Sequence, residues 1–296
     1  MQALAIVIGV ALTLSGPGLS AQAPPQVVKL AVTGLVGMEE LQREFGAFLE
    51  VIEQASGLDV EFYPVTNRAA ASEALKWKRV DFVLSGPAEY VVMKKRAGAV
   101  PVVGFSRPDY FAAVFVLAES EIRRAADLKG KKVGFSTVGS SSGHLGPMQL
   151  LADYGVDPLK DIEAVHLKTQ TAFEALKRGD IAALGFGAEK FNQLREDEAL
   201  KGGLPQGAFR VVLRGPDLPN DVLMAGAHVP QPVIDAMRKV FVDKSEALIK
   251  AMLNSGRDDK YRGMKFLPAI RDADYDYVRT MYKTAGFPEY ADFVGN

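Results

Sequence analysis

The chain has 296 residues, enough for two modest lobes or one large domain. With 48% hydrophobic and 24% charged residues it has the composition of a folded globular protein, and its formal net charge of -1 carries no nucleic-acid signature. It contains no cysteine, which excludes disulfides, thiolate catalysis, Cys-based metal sites and a lipid-modified N-terminal cysteine.

The N-terminus reads as an export signal. Leu4 to Leu14 is almost wholly apolar, Gly16-Pro17-Gly18 breaks the run, and Ala21-Gln22-Ala23 follows as a small-x-small cleavage site. The segment before the apolar run lacks Lys and Arg. The run itself is short for a membrane span, and no later segment reaches spanning length. Residues 1–23 are therefore expected to be a signal peptide on a soluble periplasmic protein beginning near Pro24.

Strands and helices then alternate. Val27 to Val32 reads as a strand, and Met38 to Ser56 as a helix with Leu41, Phe45, Phe48, Leu49 and Ile52 on one face, stopped by Gly57. Val60 to Val65 is a strand, Asn67 to Trp77 a helix, and Val80 to Leu84 a strand. Ser85-Gly86-Pro87 opens a helix through Arg96, with Pro87 suited to its first position. Val100 to Phe105 is a strand. Phe111 to Leu117 is a β-prone run expected to cross between lobes.

Lys132 to Ser136 is a strand, followed by a loop of small residues, Thr137 to Gly143, and an apolar helix closed by Tyr154-Gly155. Pro147 places the start of that helix no earlier than Ser142. Ile162 to Leu167, Thr169 to Arg178, Ile181 to Phe186 and Ala188 to Glu198 continue the alternation. Phe209 to Leu213 and Val222 to Ala227 are strands, separated by a Pro-rich connection expected to be a second crossing. The remainder reads as mostly helical, including Gln231 to Leu253. This order predicts an α/β fold of mostly parallel sheets flanked by helices.

A strand, a Ser/Gly loop and a helix start together form an anion seat. Free N–H groups point outward there and the macrodipole favours negative charge. Capping alone needs one hydroxyl, whereas Ser140, Ser141 and Ser142 supply three. A faint repeat, Thr66-Asn67-Arg68-Ala69 with Glu73 to Lys76 and Thr169-Gln170-Thr171-Ala172 with Glu174 to Lys177, suggests two similar lobes with a capping Thr in each.

Asp127-Leu128-Lys129-Gly130-Lys131 followed by Ser140-Ser141-Ser142-Gly143-His144-Leu145-Gly146-Pro147 resembles the "DLKGK … S-T/S-S-G-x-L-x-P" signature of phosphonate/phosphite/phosphate-type periplasmic substrate-binding proteins of ABC importers. Weaker matches are Val65-Thr66-Asn67, Ser85 to Tyr90 and Pro219-Asn220-Asp221. The resemblance implies a two-lobed periplasmic-binding-protein fold, with residues 24–112 and 222–296 in one lobe and 113–221 in the other. It implies a small tetrahedral oxyanion as ligand and a membrane permease or sensor kinase as partner, with the receptor monomeric. No cofactor, metal or nucleic acid is implied, and no catalysis.

In that reading Ser140, Ser141, Ser142 and the N–H groups of Gly143 and His144 hold the oxygens, with Thr169 beside them. Arg68, Ser85 and Tyr110 close from the other lobe, with Arg107 as a second cation. Arg68 and Thr169 stand where the family often has Tyr and His. Glu189 and Asp217 are the candidates to meet a ligand amine. A different reading takes Gly139 to Gly143 as a G-x-S-x-G nucleophile elbow, with Ser141 the nucleophile, His228 its base and Asp217 or Asp221 the third member.

Overall fold

The computed structural model describes residues 26–35 and 37–291, so the expected signal peptide lies outside it. Four expected elements keep their boundaries: β1 (Val27–Val32), α1 (Met38–Ser56), β4 (Val100–Phe105) and β5 (Phe111–Leu117). Between them lie β2 (Asp59–Phe62), α2 (Arg68–Lys76), β3 (Phe82–Ser85) and α3 (Pro87–Ala97). Next come β6 (Lys132–Phe135), α4 (Gly146–Asp153), β7 (Glu163–His166), α5 (Thr169–Lys177), β8 (Ala183–Gly187), α6 (Ala188–Leu200) and β9 (Phe209–Asp217). The chain ends with β10 (Asp221–Ala225), α7 (Gln231–Asp243), α8 (Ser245–Met252), α9 (Asp258–Tyr261), β11 (Phe266–Leu267) and α10 (Asp276–Thr284). Lys244 divides the expected Gln231–Leu253 helix into α7 and α8. Among the described residues no helix is long and apolar enough to cross a membrane.

Two sheets form two lobes. One has the order β11-β4-β10-β3-β1-β2 and the other β7-β6-β8-β5-β9. In the first, β1 to β4 share a direction, and β10 runs antiparallel between β3 and β4. In the second, β6 to β9 share a direction and β5 opposes its neighbours. The opposing strands arise where the chain changes lobe, because a strand entering a sheet from the other lobe starts at the end where the parallel strands finish. β5 lies wholly within the second sheet, so the first crossing is the segment 106–110 and not β5 itself. β9 continues to Asp217, so the second crossing shrinks to 218–220.

Each sheet carries its own core. The buried face of α1 presents Leu41, Phe45, Phe48 and Ile52 to Phe105, Met237 and Phe241 in the first lobe. Phe115, Phe173, Phe191 and Phe209 pack in the second, with Phe115 and Phe191 stacked at 3.6 Å. Burying each such ring contributes roughly 1.5–3 kcal/mol.

A third cluster joins the lobes. Val278, Met281 and Tyr282 of α10 share it with Tyr90 and Met93 of α3 and with Met148 and Leu151 of α4. The Thr284 hydroxyl donates to Gln149 Oε1 at 2.5 Å, and the Tyr282 hydroxyl to the Ala88 carbonyl at 3.1 Å. The C-terminal helix thus packs on both lobes, where residues 222–296 were expected to stay with the first.

Candidate functional site

The serine loop meets the other lobe at one point. Ser140 is the N-cap of the turn that follows, its hydroxyl accepting from the Gly143 N–H at 3.2 Å. That turn, 141–145, is wide: Leu145 N–H donates to the Ser140 carbonyl, five residues back. Helical backbone therefore begins at Ser141, ahead of the position expected from Pro147. Pro147 has no N–H for the Gly143 carbonyl four residues earlier, and that carbonyl instead accepts from Ser136 N–H at 2.7 Å. Pro147 thereby ties the loop to the end of β6.

Two sequence expectations change here. The Gly143 and His144 N–H groups do not face outward: Gly143 donates to the Ser140 hydroxyl and His144 to the Ser140 carbonyl. The N–H groups of Ser141 and Ser142 remain at the mouth of the turn, as the first two of a helix always do. The His144 imidazole does more than its backbone. It is buried, and its Nδ1 accepts from the Gly139 N–H at 3.0 Å. Gly139 holds φ at 84°, which lets the loop double back onto that ring. Burial first, then the neighbouring His166, lowers the His144 pKa to about 4, so Nδ1 stays an acceptor at neutral pH. His166 is exposed on edge strand β7. Its Nδ1–H donates to the Ser136 carbonyl at 2.9 Å while its ring lies 4.6 Å from that of His144.

From the first lobe, α3 starts opposite. Gly86 caps it and Pro87 takes the first turn. The next N–H, of Ala88, donates to the Ser141 hydroxyl at 3.2 Å. Two helix starts from opposite lobes therefore converge on one buried hydroxyl. Ser85, at the end of β3, shares a 2.6 Å hydrogen bond with Thr33 at the end of β1, a residue the sequence reading missed.

The first crossing supplies Arg107 and Tyr110. The guanidinium stacks on the Tyr110 ring at 3.6 Å and is largely buried. It reaches Glu189 Oε2 at 2.9 Å and Asp221 Oδ1 at 3.5 Å. Burial would lower its pKa; the charge of Asp221 first, then Tyr110 and Glu189, raise it further above the ordinary value. Burial alone would raise Asp221, but Lys260 at 2.6 Å and Arg107 outweigh it and hold the carboxyl below its usual range. Tyr261 also donates to Asp221 at 2.7 Å. Burial pushes Tyr110 up, against the Arg107 charge and the Ser142 hydroxyl beside it, which lower it. Ser142 fits there because residue 187 is glycine: a Cβ would stand 2.7 Å from the Ser142 hydroxyl.

Other expected residues sit further out. Arg68 donates from Nε to the buried Glu89 carboxylate, itself in the first turn of α3. Thr169 is the first residue of α5 and is half-buried, with Lys168 as the cap, and α2 is capped by Asn67; neither repeat therefore uses a capping Thr. Asp217 is exposed and pairs with Arg214 at 3.3 Å. Glu189 gives one carboxylate oxygen, Oε2, to Arg107 and is partly exposed. The Ser–His–Asp constellation does not form. His228 pairs with Asp81 at 3.1 Å, at the opposite end of β3 from Ser85 and Ala88, and Asp221 is held by Lys260, Tyr261 and Arg107.

Two α/β lobes, joined by two short crossings and closing on paired helix starts, define a bilobal solute-binding protein. The chain belongs to the family described as "ABC transporter, phosphonate, periplasmic substrate-binding protein", which matches residues 36–289. It is 25% identical over 290 residues to the phosphate-import protein PhnD of Mycolicibacterium smegmatis, covering 90% of this chain and 88% of that one. Its fold is similar to that of PhnD1 from Prochlorococcus marinus, solved in complex with methylphosphonate: TM-score 0.66, 16% identity, 89% of this chain and 99% of that one. It is also similar to a binding component of a phosphonate ABC transporter from Pseudomonas aeruginosa: TM-score 0.64, 17% identity, 88% and 87% covered. Membership implies a small solute and a membrane transporter as partner.

Proposed function

We propose that this protein is the monomeric periplasmic receptor that captures a small tetrahedral oxyanion of the phosphonate or phosphate type for an ABC permease. The contact between Ala88 N–H and the Ser141 hydroxyl carries the reading. It brings the positive ends of two helices to one place, and each favours negative charge there. The hydroxyls of Ser140, Ser141 and Ser142 and the N–H groups of Ser141 and Ser142 hold the oxygens from one lobe. The α3 start answers from the other, and Arg107 and Tyr110 close the hinge side. The segments 106–110 and 218–220 act as hinges, with α10 restraining both lobes.

The anion gains most from closure. Excluding water strengthens each charge-assisted hydrogen bond, so the ligand shifts the population towards the closed form. The test is calorimetric titration and thermal shift with phosphate, phosphite, methylphosphonate, 2-aminoethylphosphonate, arsenate and sulfate. At least one phosphorus oxyanion is expected to bind below 10 µM, on the order of 7 kcal/mol. Absence of binding by all six overturns the reading.

A further inference from the structure

Beside the serine loop lies an interlobe cavity of about 220 Å³, room for about seven waters at ~30 Å³ each. It is walled by Arg68 and Ser72 of α2, Glu89, Met93 and Arg96 of α3, and Val138 of the facing loop. It shares the first turn of α3 with the seat, since Glu89 follows Ala88 directly. Its polar chemistry is unusual for a gap between packed helices. The Ser72 hydroxyl is 2% exposed and has no hydrogen-bond partner. A buried orphan hydroxyl is uncommon and points to a group that completes it. Arg68 gives its Nε side to Glu89, which leaves its two terminal nitrogens. Arg96 is anchored on the Tyr290 hydroxyl at 2.7 Å and stands 3.9 Å from Glu73. The lining thus holds two guanidinium groups and one buried carboxylate, which pairs with Arg68.

We propose that this cavity is a second subsite, which takes an anionic tail on the phosphonate: a short apolar stem ending in a carboxylate. The proposal rests on the oxyanion reading of the serine seat and names the ligand class that seat prefers. The phosphonate group occupies the seat, the stem passes Met93 and Val138, and the carboxylate accepts from Ser72 and the guanidinium groups. A cationic tail is disfavoured by Arg68 and Arg96, and a plain alkyl tail leaves Ser72 unsatisfied.

The test is titration of the mature protein with methylphosphonate, propylphosphonate, 3-phosphonopropionate and 2-aminoethylphosphonate. 3-Phosphonopropionate is expected to bind at least tenfold tighter than propylphosphonate. Arg96→Gln and Ser72→Ala are each expected to remove most of that gain while leaving methylphosphonate within twofold. Ser72→Ala is also expected to melt no lower than the wild type without ligand, because it deletes an unsatisfied group. Equal affinity for the carboxylate and alkyl tails, a preference for the ammonium tail, or variants that weaken every ligand alike or none overturns the subsite while leaving the seat intact. A wild type that binds none of these ligands nor phosphate overturns the seat, and the subsite with it.

Discussion

Ala88 N–H in one lobe donates to the Ser141 hydroxyl in the other across 3.2 Å. The hydroxyl accepts from the start of α3 and itself belongs to the first residue of the turn that Ser140 caps. Ser141→Ala deletes that acceptor and, in the proposed function, one donor to the anion, but no core packing. A hydrogen bond to a charged group is worth about 1.5–3 kcal/mol, so phosphate or methylphosphonate should bind roughly 10- to 150-fold more weakly. Calorimetry on the variant checks this; unchanged affinity would remove the serine loop from the site.

The bridge from Arg107 to Glu189 joins the first crossing to the start of α6 at 2.9 Å. Glu189 is partly exposed, so the pair is worth about 1 kcal/mol or less. Glu189→Gln should therefore open the ligand-free protein, changing the closed-to-open ratio by up to about fivefold. Small-angle scattering should report a larger radius of gyration for the variant without ligand, and the same radius as wild type once saturated with anion. Identical ligand-free profiles would refute the bridge as a latch.

His144 makes stability depend on pH. Its folded pKa is about 4, against about 6.5 unfolded, so between these values the unfolded chain binds the extra proton. The contribution is complete above pH 6.5, declines as pH falls towards 4, and levels off below. At about 1.4 kcal/mol per unit it amounts to no more than about 3.5 kcal/mol. His144→Gln keeps an acceptor for the Gly139 N–H but does not titrate. Thermal melts from pH 7.5 to 4 should fall less steeply for the variant than for the wild type, and parallel slopes would contradict the assignment.

Gly187 has an ordinary backbone, with φ at -66°, so alanine there strains nothing locally. Its Cβ would stand 2.7 Å from the Ser142 hydroxyl and 3.1 Å from its Cβ. Gly187→Ala should push Ser142 away from Tyr110 and weaken anion binding at least fivefold. Overpacking of this kind costs about 1–3 kcal/mol, so the melting temperature should drop by only a few degrees. Full retention of binding would show that the Ser142–Tyr110 contact is dispensable.

Much of the fold is legible in the sequence. The bounds of α1 follow from an apolar stripe and from Gly57, which adopts φ 71° and ends the helix. Pro87 marks the start of α3, and the serine loop marks a helix start, though which of Ser140, Ser141 and Ser142 caps it is decided only by the fold, which uses Ser140. These are short-range signals, written within one or two turns of the residues they govern.

The sequence by itself determined the two lobes, most of their elements and the hydroxyl-rich loop, because period, caps and turns act between near neighbours. Tertiary structure alone decided that Arg107 pairs with Glu189, 82 positions away, that the His144 ring and not its N–H shapes the loop, and that α10 straddles both lobes. The choice of an ion partner or a packing face depends on which groups burial brings together and strips of water. That is a property of the folded surfaces, not of any local run of residues.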